Sequence, residues 1–285
     1  MESGGCAMSY QEILGQKTIA ISISESPDMP VLGLGDEHLR DAMAEIARHL
    51  LALGARLIYG GDLRQHGFSD LLFELVSRYR RDANEGDGRS GVTNYLAWPV
   101  HILQATADLD AQITEVKDSA ELICLRIDGS ALPIEERRGL PRQVPTEQDW
   151  AEGLTSMRIT MMSNSDARIV VGGRSEGYKG TMPGIAEEAL LSLRAGMPTF
   201  LVGGFGGCTR DIAETLGIIQ PRSTSNIGWA QRNEFAVFNA ANLNNGLTDE
   251  ENATLACTPH VDQAITLILR GMMKLVKAEG PEIAT

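Results

Sequence analysis

The stretch from Arg168 to Gly207 constrains the fold of this chain more than any other part of the sequence. Residues 169–171 form an isoleucine-valine run that predicts a strand buried on both faces, and the run ends at a double glycine. Pro183-Gly184 predicts the start of a helix, and residues 199–202 predict a second buried strand that runs into the glycines of 203–207. Two strands that each end in glycines favour a parallel sheet with bare backbone N–H groups along one edge. Phosphates and nucleotides bind at such edges.

The same alternation of strands and helices continues on both sides of this stretch. The hydrophobic pattern predicts further strands at 17–24, 56–59, 95–100 and 121–127, and further helices at 36–53, 68–81, 108–116, 146–164, 233–243 and 261–277. Parallel strands need crossover connections, so we expect an α/β fold: a doubly wound, mostly parallel Rossmann-like sheet of about six to seven strands, with helices on both faces and a C-terminal helical extension. The predicted organisation is an N-terminal tail at 1–16 and a single domain at 17–285, in which 218–285 form the extension.

Charge and composition exclude several classes of function. The chain has 38 acidic against 25 basic residues and a net charge of −13, which disfavours broad association with nucleic acid or with an anionic membrane. We therefore expect neither a nucleic-acid nor a membrane partner. The four cysteines are far apart and form no CxxC pair, which favours a cytoplasmic location. The five histidines show no metal-ligand spacing, so we expect no metal and no required cofactor.

Three motifs at strand ends carry a resemblance to a known family: GGDLRQHGF from Gly60, GGRSEGYKGTMPGIAEEAL from Gly172 and GGFGG from Gly203. Together they resemble the SLOG superfamily, which groups with the LOG phosphoribohydrolases and the DNA-processing Rossmann proteins. The resemblance covers roughly residues 17–217 and is strongest to the TIR-associated branch, whose relatives in Thoeris-type antiviral defence bind cyclic ADP-ribose-like signals.

This resemblance implies a nucleotide-binding sensor whose ligand is an adenine nucleotide or an ADP-ribose derivative. It also implies a TIR or other effector module as partner, supplied in trans or by a longer chain, and a homo-oligomer. The LOG enzymes carry the motif PGGxGTxxE, whereas six residues separate Gly173 from Gly180-Thr181 here. That insertion favours recognition over catalysis. The alternative is a LOG-like nucleotide N-glycosidase, a phosphoribohydrolase or deoxyribosyltransferase-like enzyme, that uses Glu187 or Glu188 as its catalytic carboxylate.

The candidate ligand-binding residues share a position at or just after a strand end. They are Ser24, Gly60, Gly61, Asp62, Arg64, Gly172, Gly173, Arg174, Tyr178, Lys179, Gly180, Gly184, Glu187, Gly203, Gly204, Phe205 and Gly206. The glycines would let a phosphate approach the backbone, the cations would answer a diphosphate, and the aromatic rings would stack on a base.

Each of these residues also has a purely structural interpretation. The glycines fit tight turns, the cations fit surface salt bridges, the two glutamates fit a helix N-terminus, and Phe205 fits a plug on the core. Outside the candidate site we expect the EERR run at 135–138 to lie on a solvated face and the methionines of 157–162 to face the core. The apolar face of the 261–277 helix is a candidate assembly surface.

Overall fold

The computed structural model describes residues 12–61, 63–64, 66–82, 91–117, 119–222 and 228–279, and its centre is a six-stranded sheet. The strands are β1 (Thr18–Ser24), β2 (Arg56–Gly60), β3 (Val92–Leu96), β4 (Ala120–Cys124), β5 (Ala167–Gly172) and β6 (Thr199–Val202). All five neighbouring pairs are parallel, in the order β4-β3-β2-β1-β5-β6. The predicted Rossmann-like α/β fold is confirmed.

Ten α-helices accompany the strands in the described residues. They are α1 (Asp36–Ala52), α2 (Phe68–Asp82), α3 (Trp98–His101), α4 (Thr106–Val116), α5 (Ile134–Arg138), α6 (Glu147–Ser163), α7 (Gly184–Arg194), α8 (Gly207–Thr215), α9 (Asp249–Cys257) and α10 (Val261–Glu279). The two threonine capping boxes at Thr146 and Thr248 form as their spacing predicts and begin α6 and α9. No described helix has the length and apolar character needed to cross a membrane.

Side chains that alternate along the strands divide the core between the two faces of the sheet. On one face, Ile19, Ile21 and Ile23 of β1 pack in a cluster shared by α1, α2 and α10. On the other face, Val170 and Leu201 pack with α7 and α8, and Ala20 and Ile58 pack with α6. Because both faces are covered, the strands are apolar on both sides, as a parallel sheet requires.

The third strand and the helix after it differ from the prediction. We expected a strand at 95–100, but β3 starts at Val92, and residues 98–101 form α3 with Pro99 in its first turn. The sequence pattern misses the start of β3 because Asn94, a polar residue that is buried here, interrupts the apolar run. Its side chain accepts a hydrogen bond from Ser69 Oγ at 3.0 Å and donates to the carbonyl oxygen of Gly61 at 3.2 Å. A proline at the start of a helix costs no hydrogen bond, which explains α3.

The expectation that the EERR run at 135–138 lies on a solvated face is wrong for one residue, because Arg137 is fully buried. Its guanidinium donates from Nε to His101 Nδ1 at 3.0 Å, and from the second terminal nitrogen to the carbonyl oxygens of His101 at 2.7 Å and Gln104 at 2.9 Å. Glu135 and Arg138 are exposed, as expected. The buried arginine therefore ties the short helix α5 to the end of α3.

The C-terminal part of the chain is joined to the core. The helix expected at 233–243 is two separate 3₁₀ turns, Arg232–Val237 and Ala240–Leu243. The apolar face of α10 is covered within the chain, because Ile265, Ile268 and Met272 pack in the same cluster as α1 and Phe200 of β6. This face is therefore not left free as an assembly surface. At the other end of the chain, Leu14, in the predicted tail, is fully buried.

Candidate functional site

The strand order reverses between β1 and β5, and this reversal creates the crevice where a ligand is expected. From β1 the chain builds the sheet outward through β2, β3 and β4, and then returns to place β5 on the other side of β1. The loops after β1 and β5 therefore leave the sheet in opposite directions. In open parallel sheets, ligands bind at such a point, beyond the carboxyl ends of the strands. Ser24 of β1 and Gly172 of β5 are paired there.

The double glycine after β5 is needed to pack these two strand ends and α8 together. Gly172 and Gly173 have φ angles of +64° and +106°. A Cβ at Gly172 would lie 2.5 Å from the carbonyl oxygen of Ser24, and one at Gly173 would overlap Cys208 Sγ. The interior of the protein thus accounts for both glycines as tight-turn residues. The backbone of Gly173 is bonded within the protein, since its N–H donates to the carbonyl oxygen of Ser24 and its own carbonyl oxygen accepts from the N–H of Cys208.

The glycines after β6 pack mainly against α9 and its C-terminal end. A Cβ at Gly203 would overlap the carbonyl oxygen of Ala256, and one at Gly204 would overlap that of Thr258. Phe205 is 1% exposed and belongs to the core, so its ring offers no face to a base. Gly206, with a φ of +74°, precedes the first turn of α8. Of the GGFGG motif, its last two residues are therefore the ones that face the loop after β1.

The predicted site residues after β2 lie at a different part of the edge. Gly60 packs on α6, where a Cβ would overlap Met161 Sδ, and Gly61 packs against the ring of Tyr59. Arg64 is exposed, and Asp62 lies outside the described residues. These glycines, too, are explained by close packing of neighbouring side chains.

The predicted residues of the β5–α7 loop point to different partners. Arg174 donates to Glu25 Oε2 from Nε at 3.1 Å and from a terminal nitrogen at 2.5 Å. Tyr178 Oη accepts a hydrogen bond from the backbone N–H of Ala230 at 3.4 Å. The ammonium of Lys179 lies 3.3 Å from the centre of the Trp150 ring, a cation–π contact. Arg174 and Lys179 therefore do not form one cationic cluster.

Glu187 is held in a buried ion pair at the start of α7. One of its carboxylate oxygens is paired with a terminal nitrogen of Arg158, and the other accepts a hydrogen bond from Thr155 Oγ1 at 2.5 Å. Both Arg158 and Thr155 lie on α6, which packs beside α7. Gly184 allows this approach, since a Cβ there would lie 2.5 Å from the other terminal nitrogen of Arg158. Nε of Arg158 is buried and has no hydrogen-bond partner among the described residues.

The neighbouring carboxylate, Glu188, faces the sheet instead of the crevice. It pairs with Arg168 at 2.7 Å and accepts a hydrogen bond from Ser22 Oγ. Arg168 is fully buried in β5 and also donates from Nε to Ser192 Oγ at 2.8 Å. Its strand neighbour is Ala20, whose small side chain leaves room for the guanidinium. Burial lowers the pKa of Arg168, and Glu188 opposes that shift. The free-energy cost of removing both charges from water offsets much of their attraction, so the pair adds little net stability. Its effect is to fix the position of α7 on the sheet.

Sequence reasoning found Glu187 and Glu188 but missed their partners on α6 and the sheet: Ser22, Thr155, Arg158 and Arg168. A signal for the two arginines was present. Arg158 follows Leu154 by four residues and precedes Met161 by three, so it lies on the inward face of α6. Arg168 lies in a strand expected to be buried on both faces. A cation in either place needs a buried carboxylate, and the Glu187-Glu188 pair provides two.

A cavity of about 440 Å³ lies next to the Arg158–Glu187 pair rather than over the glycine turns. It is lined by Ile127, Asp128, Ala151, Glu152, Thr155, Ser156 and Thr181. Thr155 joins this cavity to Glu187, since its hydroxyl donates to that carboxylate. The lining holds two acidic residues and no basic one, so it suits hydroxyl and N–H donors and not phosphate.

Comparison with known proteins gives the family of the chain. No curated protein matches the sequence. The family model described as SLOG cluster2 matches residues 13–255, a range that runs from before β1 into α9 and contains every strand and every site residue described above. The chain therefore belongs to the SLOG cluster2 family.

Proposed function

We propose that this SLOG domain binds a nucleotide of the ADP-ribose or cyclic ADP-ribose type at the crevice between β1 and β5. The observation that carries the proposal is the buried Arg158–Glu187 pair at the start of α7, the helix that follows the crevice strand β5. A paired carboxylate fixed at a topological switch point is suited to a ribose, whose vicinal hydroxyls are hydrogen-bond donors.

The two ends of the ligand would meet different chemistry. Each carboxylate oxygen of Glu187 has one described partner, Arg158 or Thr155, and a second lone pair on each remains for a ribose hydroxyl. The diphosphate would be bound by Arg174, since arginine binds phosphate oxygens bidentately, and by backbone N–H groups at the helix starts. The donor-rich base and ribose would extend toward Thr155 and the acidic cavity.

In this proposal the domain is a sensor that works in bacterial antiviral defence. It would pass the signal to an effector module, such as a TIR domain, supplied in trans or by a longer chain. The signal would be transmitted through rearrangement of a homo-oligomer. Light scattering coupled to gel filtration, with and without ADP-ribose, would detect such a rearrangement as a change in mass or in elution volume.

Calorimetry tests the binding itself. Cyclic ADP-ribose isomers, ADP-ribose, NAD and AMP would be titrated into the wild-type protein and into Glu187→Gln. We expect micromolar binding of at least one ligand and a loss of about tenfold or more in the variant, because an amide is a poorer acceptor for two hydroxyls. Glu234→Gln, which changes a half-buried glutamate paired with Arg194, is the matched control and should bind as the wild type does. Absence of micromolar binding for all four ligand types would contradict the proposal.

A second candidate function is hydrolysis or transfer at an N-glycosidic bond, with Glu187 as the catalytic carboxylate. The same contact favours it, because a carboxylate fixed by Arg158 and Thr155 is placed to stabilise an oxocarbenium-like transition state. Chromatography of AMP, CMP and deoxynucleosides after incubation would reveal release of free base. Turnover that Glu187→Gln abolishes would establish the enzyme, and tight binding without turnover would establish the sensor.

A further inference from the structure

The carboxylate at the start of α7 is nearly closed off from water. Glu187 is 7% exposed, and its partner Arg158 is 6% exposed. The second oxygen of Glu187 is covered by Thr155, whose hydroxyl donates to it and whose side chain lines the neighbouring cavity. A ribose cannot reach a carboxylate buried to this extent unless a neighbouring segment moves.

The tip of the β5–α7 loop, residues 179–181, lies against α6 beside this carboxylate. The ammonium of Lys179 lies 3.3 Å from the centre of the ring of Trp150, which is in the first turn of α6. A Cβ at Gly180 would lie 3.8 Å from Nη1 of Arg158, the nitrogen of the buried ion pair. The tip therefore meets α6 at the ion pair and at the start of the helix.

The third residue of the tip, Thr181, lines the cavity of about 440 Å³. Four of the six other lining residues lie on α6, and Thr155 is one of these four. The cavity is therefore a gap between the tip and α6. Movement of the tip away from α6 would widen this gap on the side of Thr155 and Glu187.

The tip is loosely held between two anchored neighbours. Tyr178 before it is half-buried and packs against the α7–α8 cluster, and Met182 after it is 2% exposed. Lys179 and Thr181 are exposed, and Gly180 has a φ of +103°, in a region where glycine moves freely. The tip can thus rotate while both anchors stay in the core. A cation–π contact at an exposed site is weak, so the Lys179 contact favours the closed position by about two- to fivefold.

We propose that residues 179–181 are a flap, that Lys179 latches this flap on the Trp150 ring, and that the flap opens before a ribose reaches Glu187. Lys179 then acts as a latch and not as a phosphate ligand. The identity of the ligand rests on the proposed function, whereas the flap itself does not depend on the nucleotide. Because only molecules with an open flap can bind, the latch weakens the apparent affinity by the open fraction.

Phenylglyoxal, a reagent that modifies arginine side chains, tests the flap in the full chain without any ligand. Mass spectrometry of peptides would give the rate of modification of Arg158 in the wild type, Lys179→Gln and Trp150→Leu. We expect the rate to rise about two- to fivefold in each variant, because both remove the same contact. The double variant should be no faster than the single ones. Lys277→Gln, which changes an exposed lysine of α10, is the matched control and should leave the rate unchanged.

Two fully buried arginines, Arg137 and Arg168, are internal references in the same digest, because their modification requires unfolding of the core. A higher rate at Arg158 alone would support the flap. An equal rate at Arg158 in the wild type and Lys179→Gln, or a rise that the two references share, would overturn it.

The two proposals fail in different ways. Faster modification of Arg158 in the latch variants, with no micromolar binding of any of the four ligand types, would support the flap and contradict the proposed nucleotide. Micromolar binding of ADP-ribose, together with an equal rate at Arg158 in the wild type and the latch variants, would support the nucleotide and overturn the flap.

Discussion

At the scale of single residues, Arg137 and His101 form a contact that depends on the protonation state of the histidine. Arg137 Nε donates to His101 Nδ1, so that nitrogen is an acceptor, and the proton of the neutral ring lies on Nε2, which donates to the carbonyl oxygen of Leu125 at 2.8 Å. Burial lowers the pKa of His101 to about 4, the Leu125 hydrogen bond opposes the shift, and the Arg137 charge adds to it. A charged His101 would face Arg137 with no acceptor to offer.

This contact predicts a loss of stability in mild acid. In the unfolded chain His101 titrates near pH 6.5, so between pH 6.5 and 4 the unfolded state binds a proton that the folded state does not. The stabilisation that comes from a neutral His101 is fully present above pH 6.5 and is lost as the pH falls. At pH 4 the free energy of unfolding is lower by about 3 kcal/mol. In urea unfolding at several pH values, the wild type should lose its advantage over His101→Gln across this range. A constant difference between the two proteins from pH 7 to 4 would contradict this.

The buried charges mark the limit of what the sequence predicts at this scale. The sequence places Glu187 and Glu188 at the start of a helix, and the helix dipole explains acidic residues there. It does not pair them with Arg158 and Arg168, which lie 29 and 20 residues away. Such a pairing depends on the packing of α6 and β5 against α7, and local pattern carries no information about it.

At the scale of elements, the pattern of hydrophobic residues predicts five strands close to their observed positions, the third strand only in part, and most of the helices, because burial imposes a period of 2 on strands and 3.6 on helices. It fails where a polar residue is buried, as Asn94 is in β3. The pattern also does not explain the glycines. The sequence shows where each glycine lies, but not which neighbouring atoms exclude a side chain there. The close approach of Gly204 to the carbonyl oxygen of Thr258 joins segments that are 54 residues apart.

That approach gives a prediction about the turn after β6. In Gly204→Ala the new methyl group would overlap the backbone after α9, which cannot yield as a flexible side chain can. We expect the free energy of unfolding to fall by about 1–3 kcal/mol or more. Gly228→Ala is the matched control, since no atom of the residues that the structure describes lies within 4 Å of a Cβ there, and it should stay within about 0.5 kcal/mol of the wild type. Unfolding in urea would measure both; an equally stable Gly204→Ala would show that α9 moves aside freely.

At the scale of the whole molecule, the C-terminal helix is part of the core although the match to the family model ends before it, at residue 255. Ile268 of α10 is 1% exposed and packs in the cluster that covers one face of the sheet. The sequence predicts this helix and its apolar face correctly. It does not tell which surface covers that face, because an amphipathic pattern is the same for a partner chain as for α1.

The position of α10 predicts a large cost for a cavity there. Ile268→Ala should lower the free energy of unfolding by about 2–5 kcal/mol, as a buried isoleucine truncation does. Ile159→Ala, at a residue of α6 that is 43% exposed, should cost about 0.5 kcal/mol or less. Chemical unfolding of the two variants and the wild type in parallel would measure the difference. Similar small losses in both variants would show that α10 is only loosely attached.

The indole of Trp229 gives the molecule an optical readout of its own. Trp229 Nε1 donates to Asp211 Oδ2 at 2.8 Å, and the other oxygen of Asp211 is paired with Arg222, which in turn holds Asp28. Asp28 thus lies three contacts away from this ring, and because indole emission responds to local charge, a change of charge at Asp28 is expected to alter the emission of Trp229. In chains in which Trp98 and Trp150 are replaced by phenylalanine, Trp229 is the only tryptophan, so its emission wavelength and intensity would report such a change without an attached dye.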